Sequence, residues 1–215
     1  MSIHQKIITL SNRLTSGARK KLFRNYVQLN FEDKHIRHLK SLKDRSELLS
    51  LMPKHAIAAE IGVNEGDFSE KILSICIPEK LILIDLWGSK RYHSGLFEKV
   101  KNRFARQIND GQVRIIRDLS FDGIVSCEDS FFDWVYLDTD HSYHVTIKEL
   151  ELLRPKIKPG GIISGHDYIV GNWNDGVRYG VIEAVREFCL KYDWEMIYLT
   201  HELDNHPSFA IRKIG

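Results

Sequence analysis

The sequence is poor in the features that would place it in several large protein classes. Its 215 residues hold three cysteines, Cys76, Cys127 and Cys189, far apart and without a Cys-x-x-Cys pair. That spacing excludes a disulfide framework or a zinc-ribbon site, and buried reduced thiols point to a cytoplasmic setting. No apolar run approaches the roughly 20 residues that cross a bilayer, so no membrane partner is expected. The opening MSIHQKIITLSNR lacks the apolar core and small-residue cleavage site of a secretory signal. There is no internal repeat, no low-complexity tract and no Gly-x-Gly-x-x-Gly dinucleotide fingerprint. A glycine loop ending in Lys-Ser/Thr and an Asn/Asp-Pro-Pro-Tyr base-flipping motif are also missing. An excess of one charge sign is missing too: 31 Lys+Arg face 29 Asp+Glu, a net +2, which argues against a nucleic-acid partner.

What is present is unevenly laid out. Residues 1–54 carry 12 basic and 4 acidic side chains, a local +8, and residues 55–215 a local −6. The front segment reads as a basic helical appendage, with Asp44 or Ser46 capping a helix through Leu48, Leu49 and Leu51 that Pro53 ends. Such a segment can pack on the main domain or form a homo-oligomer contact. Residues 55–215 read as one domain in which short apolar strands alternate with helices. Strands are expected at 55–61, 81–84, 113–116, 134–137 and 161–164, with closing strands at 195–199 and 208–211. Helices fall at 66–77, 97–108, 144–153 and 181–190. This alternation implies an α/β fold, a mostly parallel seven-stranded sheet with helices on both faces. Ligands of such sheets bind beyond the carboxyl ends of the strands.

The chemistry-bearing residues stand at those ends. Glu60 precedes a glycine turn, Gly62-Val63-Asn64-Glu65-Gly66, with Ser69 opening the next helix; glycines there permit close backbone approach to a ligand. Asp85 ends the second strand, where a carboxylate can accept both hydroxyls of a ribose, and Leu86 and Trp87 can pack on an adenine. Asp118 and Ser120 follow the third strand, placed to bond the adenine amino edge or to cap a helix. Asp138, Asp140 and His141 follow the fourth strand, and His166 and Asp167 the fifth. Uncompensated carboxylates so concentrated are expensive to desolvate, and a divalent cation resolves the cost. A histidine ligand widens the choice beyond Mg²⁺. A metal-free cleft with His–Asp hydrogen bonds is the alternative.

In Glu60-Ile61-Gly62-Val63-Asn64-Glu65-Gly66 and Ile84-Asp85-Leu86-Trp87, the chain resembles S-adenosylmethionine-dependent methyltransferases of the Rossmann-like class. Leu137-Asp138-Thr139-Asp140-His141-Ser142-Tyr143 and the run Gly160 to Tyr168 are similar to a small-molecule O-methyltransferase subgroup. Its relatives include macrocin- and aminocoumarin-type sugar methyltransferases. The resemblance covers about residues 55–212. It implies S-adenosylmethionine held by Glu60, Gly62, Asn64, Gly66, Ser69, Asp85, Leu86, Trp87, Asp118, Ser120 and Asp138. It implies Mg²⁺ or another divalent metal on Asp138, His166 and Asp167, with His166 departing from the Asp usual there. Asp140 is then the general base, and His141 an alternative base or a cofactor contact. The implied acceptor is a hydroxylated small molecule, a sugar or glycosylated metabolite. The loop 169–179, with Asn172, Trp173, Asn174, Asp175 and Arg178 between Gly171 and Gly176, reads as a substrate lid. An NAD-type oxidoreductase and a non-catalytic cofactor-binding protein of the same fold are the competing readings.

Overall fold

The computed structural model describes residues 11, 15–17, 29–89, 92–172, 176–202 and 206–215. Most of the basic front before residue 29, and the loop residues Trp173, Asn174 and Asp175, lie outside the described residues.

The chain begins its sheet with β1 (Lys40–Leu42) and α1 (Arg45–Leu51), then runs β2 (Ile57–Ile61), α2 (Asp67–Cys76) and β3 (Lys80–Asp85). Next come α3 (Ser94–Arg103), α4 (Ala105–Asn109), β4 (Val113–Arg117), α5 (Ser120–Val125), β5 (Phe132–Leu137) and α6 (Tyr143–Leu153). The last part is β6 (Ile157–Gly165), a ribbon of β7 (Gly171–Asn172) and β8 (Val177–Arg178), then α7 (Val181–Tyr192), β9 (Trp194–Thr200) and β10 (Phe209–Lys213). The main sheet has eight strands in the order β1-β9-β10-β6-β5-β2-β3-β4. Only β10 runs antiparallel to its neighbours, β6 and β9. The expected α/β Rossmann-like architecture is present, with eight strands where seven were expected. The extra one is β1, which pairs in parallel with β9.

The strands are apolar on both sides because both faces are covered. Ala58, Leu81, Leu83, Trp134 and Tyr136 point toward α1, α2 and α3. Ala59, Ile82, Ile84, Val135 and Ile163 point toward α5, α6 and α7. Leu48 and Leu49 of α1 are fully buried in the first cluster, so the front segment contributes to the core. It is also tied on from outside, by Lys34 to Asp193 at the end of α7 and by His38 to Glu195 of β9, each at 2.7 Å.

The helix expected at 97–108 is two helices. The chain breaks at Phe104 (φ −105°, ψ 18°), whose ring is 2% exposed and closes over Gly66. The three thiols are free; Cys76 and Cys189 are buried and Cys127 partly so, and burial pushes all three thiol pKa values up. Among the described residues no helix is long and apolar enough to cross a membrane.

Candidate functional site

A cleft of about 520 Å³ opens at the carboxyl ends of β2, β3 and β5. Its floor is the turn after β2. Gly62 has φ 90°, and a Cβ there would sit 2.0 Å from the Asp138 carbonyl oxygen, so only glycine lets the ends of β2 and β5 meet. Gly66 starts α2 at φ 81°, with Phe104 beneath it. Asp85 fastens the same turn: its Oδ2 accepts the Val63 and Asn64 N–H groups at 2.8 and 2.9 Å, and its Oδ1 accepts Trp87 N–H at 3.1 Å. A carboxylate has about four acceptor positions, so these bonds orient Asp85 and leave capacity for ligand hydroxyls. Glu60 is 1% exposed and accepts the Ser69 hydroxyl. Burial pushes its carboxyl well above the usual range despite that hydrogen bond, and the Asp138 and Asp85 charges act the same way.

Leu86, Leu119 and Ser120 also line the cleft. Leu86 and Leu119 are 43% and 52% exposed, two large apolar side chains left open to solvent in the cleft. Trp87 stands elsewhere. It is 1% exposed, its ring lies 5.3 Å from Phe97, and its indole N–H donates to the Asn64 carbonyl at 2.9 Å. It supports the glycine turn from below, not from within the cleft. Asp118 is exposed and accepts the Leu119 N–H at 2.9 Å, outside the lining residues.

Beyond β5 and β6 the expected cluster assembles around Asp167. This residue has a left-handed backbone (φ 58°) and is 3% exposed. His141 Nδ1 lies 2.9 Å from its Oδ2, His166 Nδ1 3.5 Å from the same oxygen, and His206 Nδ1 meets its Oδ1. His166 also faces Asp138 Oδ2 at 3.6 Å. Burial alone would lower the His166 pKa, but the hydrogen bonds to Asp138 and Asp167 outweigh it and raise it to about 9. His141 is raised for the same balance of reasons. Burial would raise the Asp167 carboxyl, yet the His141 and His166 hydrogen bonds hold it well below the usual carboxylate range. Ligand atoms of Asp138, His141 and Asp167 all lie within 4.8 Å of one another, so the imidazole in that set is His141, where sequence pattern put His166. Asp140 is exposed at the cleft edge, with Oδ1 accepting the Ser142 N–H at 2.8 Å.

Four further residues reach this region, three of them without a sequence signal and Tyr179 from the end of the expected lid loop. Arg45 of α1 lines the cleft. Glu149 of α6 binds Thr139 with both carboxylate oxygens at 2.8 Å. His206 arrives with the approach to β10. Tyr179 follows β8, its ring 4.6 Å from His141 and 5.6 Å from His206. The β7–β8 ribbon thus roots the expected lid beside the cluster, and Gly180 N–H donates to the His141 carbonyl at 2.7 Å.

Residues 59–168, just over half of the chain, match a family model described as a methyltransferase domain. Among solved structures, SMU.1697c from Streptococcus mutans, in complex with S-adenosylhomocysteine, is 14% identical over 79% of this chain and 96% of its own, with a TM-score of 0.57. The B. subtilis tRNA methyltransferase TrmK is 12% identical over 81% of this chain and 67% of its own, at 0.58. Spermidine synthase from Thermotoga maritima is 17% identical over 81% and 58%, at 0.55. At these identities the likeness concerns the fold alone. No curated protein matches the chain. On the family match, the sheet order and the glycine turn backed by Asp85, the chain belongs to the methyltransferase-domain family, with the class I S-adenosylmethionine-dependent fold.

Proposed function

We propose that the chain transfers the methyl group of S-adenosylmethionine to a hydroxyl of a small molecule, a sugar or glycosylated metabolite, with a divalent cation assisting. The observation that carries this reading is the convergence of Asp138, His141 and Asp167 on one point beside the cleft, with Asp140 at its edge. Two carboxylates and an imidazole fit a divalent metal, and the nitrogen favours Mn²⁺, Fe²⁺ or Zn²⁺ over Mg²⁺. Bound there, a cation supplies Lewis acidity that lowers the pKa of an acceptor hydroxyl.

The protein groups do the rest. Asp85 takes the ribose hydroxyls, Leu86 and Leu119 clasp the adenine, and Ser120 bonds its edge. Glu60 and Asp138 receive the cofactor ammonium. The rigid turn through Gly62 and Gly66 holds the sulfonium in line with the acceptor oxygen. The methyl carbon leaves sulfur, which becomes a neutral thioether, and bonds to the oxygen. The hydroxyl proton passes to Asp140. The free thiols fit a cytoplasmic setting, and the N-terminal helical segment is the proposed homo-oligomer contact.

The test is methyl transfer from labelled S-adenosylmethionine to a panel of hydroxylated and glycosylated metabolites, before and after EDTA. The expected product carries a new O-methyl signal in NMR, transfer falls on chelation, and Mn²⁺ restores it. Exclusive methylation of nitrogen or RNA overturns the hydroxyl acceptor. Full turnover by Asp140→Asn overturns its role as base. Binding of NAD in place of S-adenosylmethionine overturns the reading as a whole.

A further inference from the structure

Arg45 lies outside the matched span 59–168, yet its side chain lines the same cleft as Glu60, Asp85 and Asp138. Its position is built. Asp44 caps α1 by accepting the Glu47 N–H at 2.9 Å, which makes Arg45 the first helical residue. The guanidinium then lies 5.3 Å from the Phe68 ring centroid, and the Phe68 ring in turn meets Tyr136 in a tilted contact, centroids 4.3 Å apart. Arg45 Nε stands 3.4 Å from Glu202 Oε1, and the Tyr136 hydroxyl is a second neighbour. The side chain is only 23% exposed. A half-buried guanidinium has five donors, more than these two acceptors take among the described residues.

Its place along the cleft identifies what it meets. Tyr136 on β5 is in register with Glu60 on β2, and Glu60 with Leu83 on β3. Asp85, the ribose carboxylate, ends β3, two strand spacings or about 10 Å from β5. A ligand with its ribose on Asp85 and its adenine between Leu86 and Leu119 therefore sends its far end toward Tyr136 and Arg45. The far end of S-adenosylmethionine is a zwitterionic amino acid. The other cation lining the cleft among the described residues, Lys71, is exposed and well solvated.

We infer that Arg45 binds the α-carboxylate of the cofactor's amino-acid arm. This rests on the cofactor reading above and extends it to a residue of the N-terminal segment. A planar guanidinium grips a carboxylate through two parallel N–H···O bonds, which lysine cannot reproduce. Glu202 holds the fork in place until the ligand arrives, and Phe68 keeps it flat. The amino-acid end is then bracketed, carboxylate on Arg45 and ammonium on Glu60 and Asp138, so the N-terminal segment distinguishes the whole cofactor from a bare nucleoside.

Calorimetry on the full chain tests it with two ligands, S-adenosylhomocysteine and 5′-methylthioadenosine, which keeps the nucleoside and thioether but lacks the amino-acid arm. Arg45→Gln is expected to weaken S-adenosylhomocysteine by about 10- to 100-fold. It should leave 5′-methylthioadenosine within about twofold, a change of less than 1 kcal/mol. Arg45→Lys should fall between the wild type and Arg45→Gln. Equal loss of both ligands overturns the assignment, because it shows a packing role against Phe68. Unchanged binding of S-adenosylhomocysteine with lost turnover also overturns it, and hands the guanidinium to an acidic acceptor. If the wild-type chain binds neither ligand, the cofactor reading itself fails, an outcome separate from the other two.

Discussion

At the scale of one residue, Gly62 shows how a missing side chain holds the cleft in shape. Its φ of 90° and the 2.0 Å gap between a built Cβ and the Asp138 carbonyl oxygen combine two penalties, backbone strain and a clash with main chain that has no rotamer to yield. The first alone costs on the order of 1–3 kcal/mol. Gly111 isolates it: φ is 75° there, with nothing within 4 Å of a Cβ. Gly62→Ala is therefore expected to lose at least about 2 kcal/mol more than Gly111→Ala in urea unfolding. It should also lose cofactor binding in calorimetry, while Gly111→Ala binds normally. Equal destabilisation by the two substitutions would show that β2 and β5 tolerate separation at their ends. The same close approach explains why Asp138 sits where it does, since its backbone N–H bonds the Ile61 carbonyl at 2.8 Å.

Elements are joined around the site by one buried carboxyl. Glu149, on α6, holds Thr139 of the loop after β5 and bonds Ser120 at the start of α5, so a single side chain ties three elements together. Burial raises its pKa from 4.5 to about 7, against the hydrogen bonds from Ser120 and Thr139. A carboxyl raised on folding is protonated in the native state over a range where the unfolded chain is already ionised. Its stabilising effect is therefore full below about 4.5 and fades as pH climbs to about 7, where the loss is complete. At about 1.4 kcal/mol per pH unit, that window amounts to at most about 3.5 kcal/mol. Glu149→Gln, which imitates the protonated form, should gain stability relative to the wild type across this interval and run parallel to it above. Urea midpoints of both chains at pH 4.5, 6 and 8 measure this, and a constant difference across the series would place the titration elsewhere. Nothing in the sequence announces Glu149, because a glutamate in an amphipathic helix reads as surface. The long strands and helices were legible because their apolar runs and 3.6-residue spacing directly encode burial. β1 was not, since Lys40-Ser41-Leu42 buries only Leu42 and offers no alternation to read. Arg45 and His206 were equally silent: each reaches the site through pairings that are remote in sequence, β1 with β9 and β10 with β6. The strand-end acids, by contrast, stood out because parallel sheets bring those ends together.

Over the whole molecule, the near-neutral charge conceals a division of labour. Part of the local +8 of the front segment is described, and there Lys34 and Arg45 make ion pairs that attach the segment to the domain. Six of the acids of the rest line the cleft: Glu60, Glu65, Asp67, Asp85, Asp138 and Asp140. Of the acids lining the cleft, Glu65 is paired with Lys99 and Asp67 with Arg103, each at 2.5 Å. Asp85, Asp138 and Asp140 make no salt bridge to Lys or Arg among the described residues, although the Arg45 charge is felt at Asp138. S-adenosylmethionine carries one more positive charge than S-adenosylhomocysteine, on the sulfur that reacts. On the proposed cofactor reading, the cleft carboxylates are expected to bind S-adenosylmethionine more tightly than S-adenosylhomocysteine. Salt should weaken this preference, because the Debye length shrinks from roughly 14 Å at 0.05 M to about 4 Å at 0.5 M and the cleft is open to solvent. Over that range the affinity for S-adenosylmethionine should fall about threefold more than that for S-adenosylhomocysteine, measured by calorimetry in matched buffers. Asp138→Asn should reduce the difference at low salt. A ratio of the two affinities that stays constant with ionic strength would mean that the acids act only through direct hydrogen bonds, and that the charge layout has no part in choosing between the cofactor and its product.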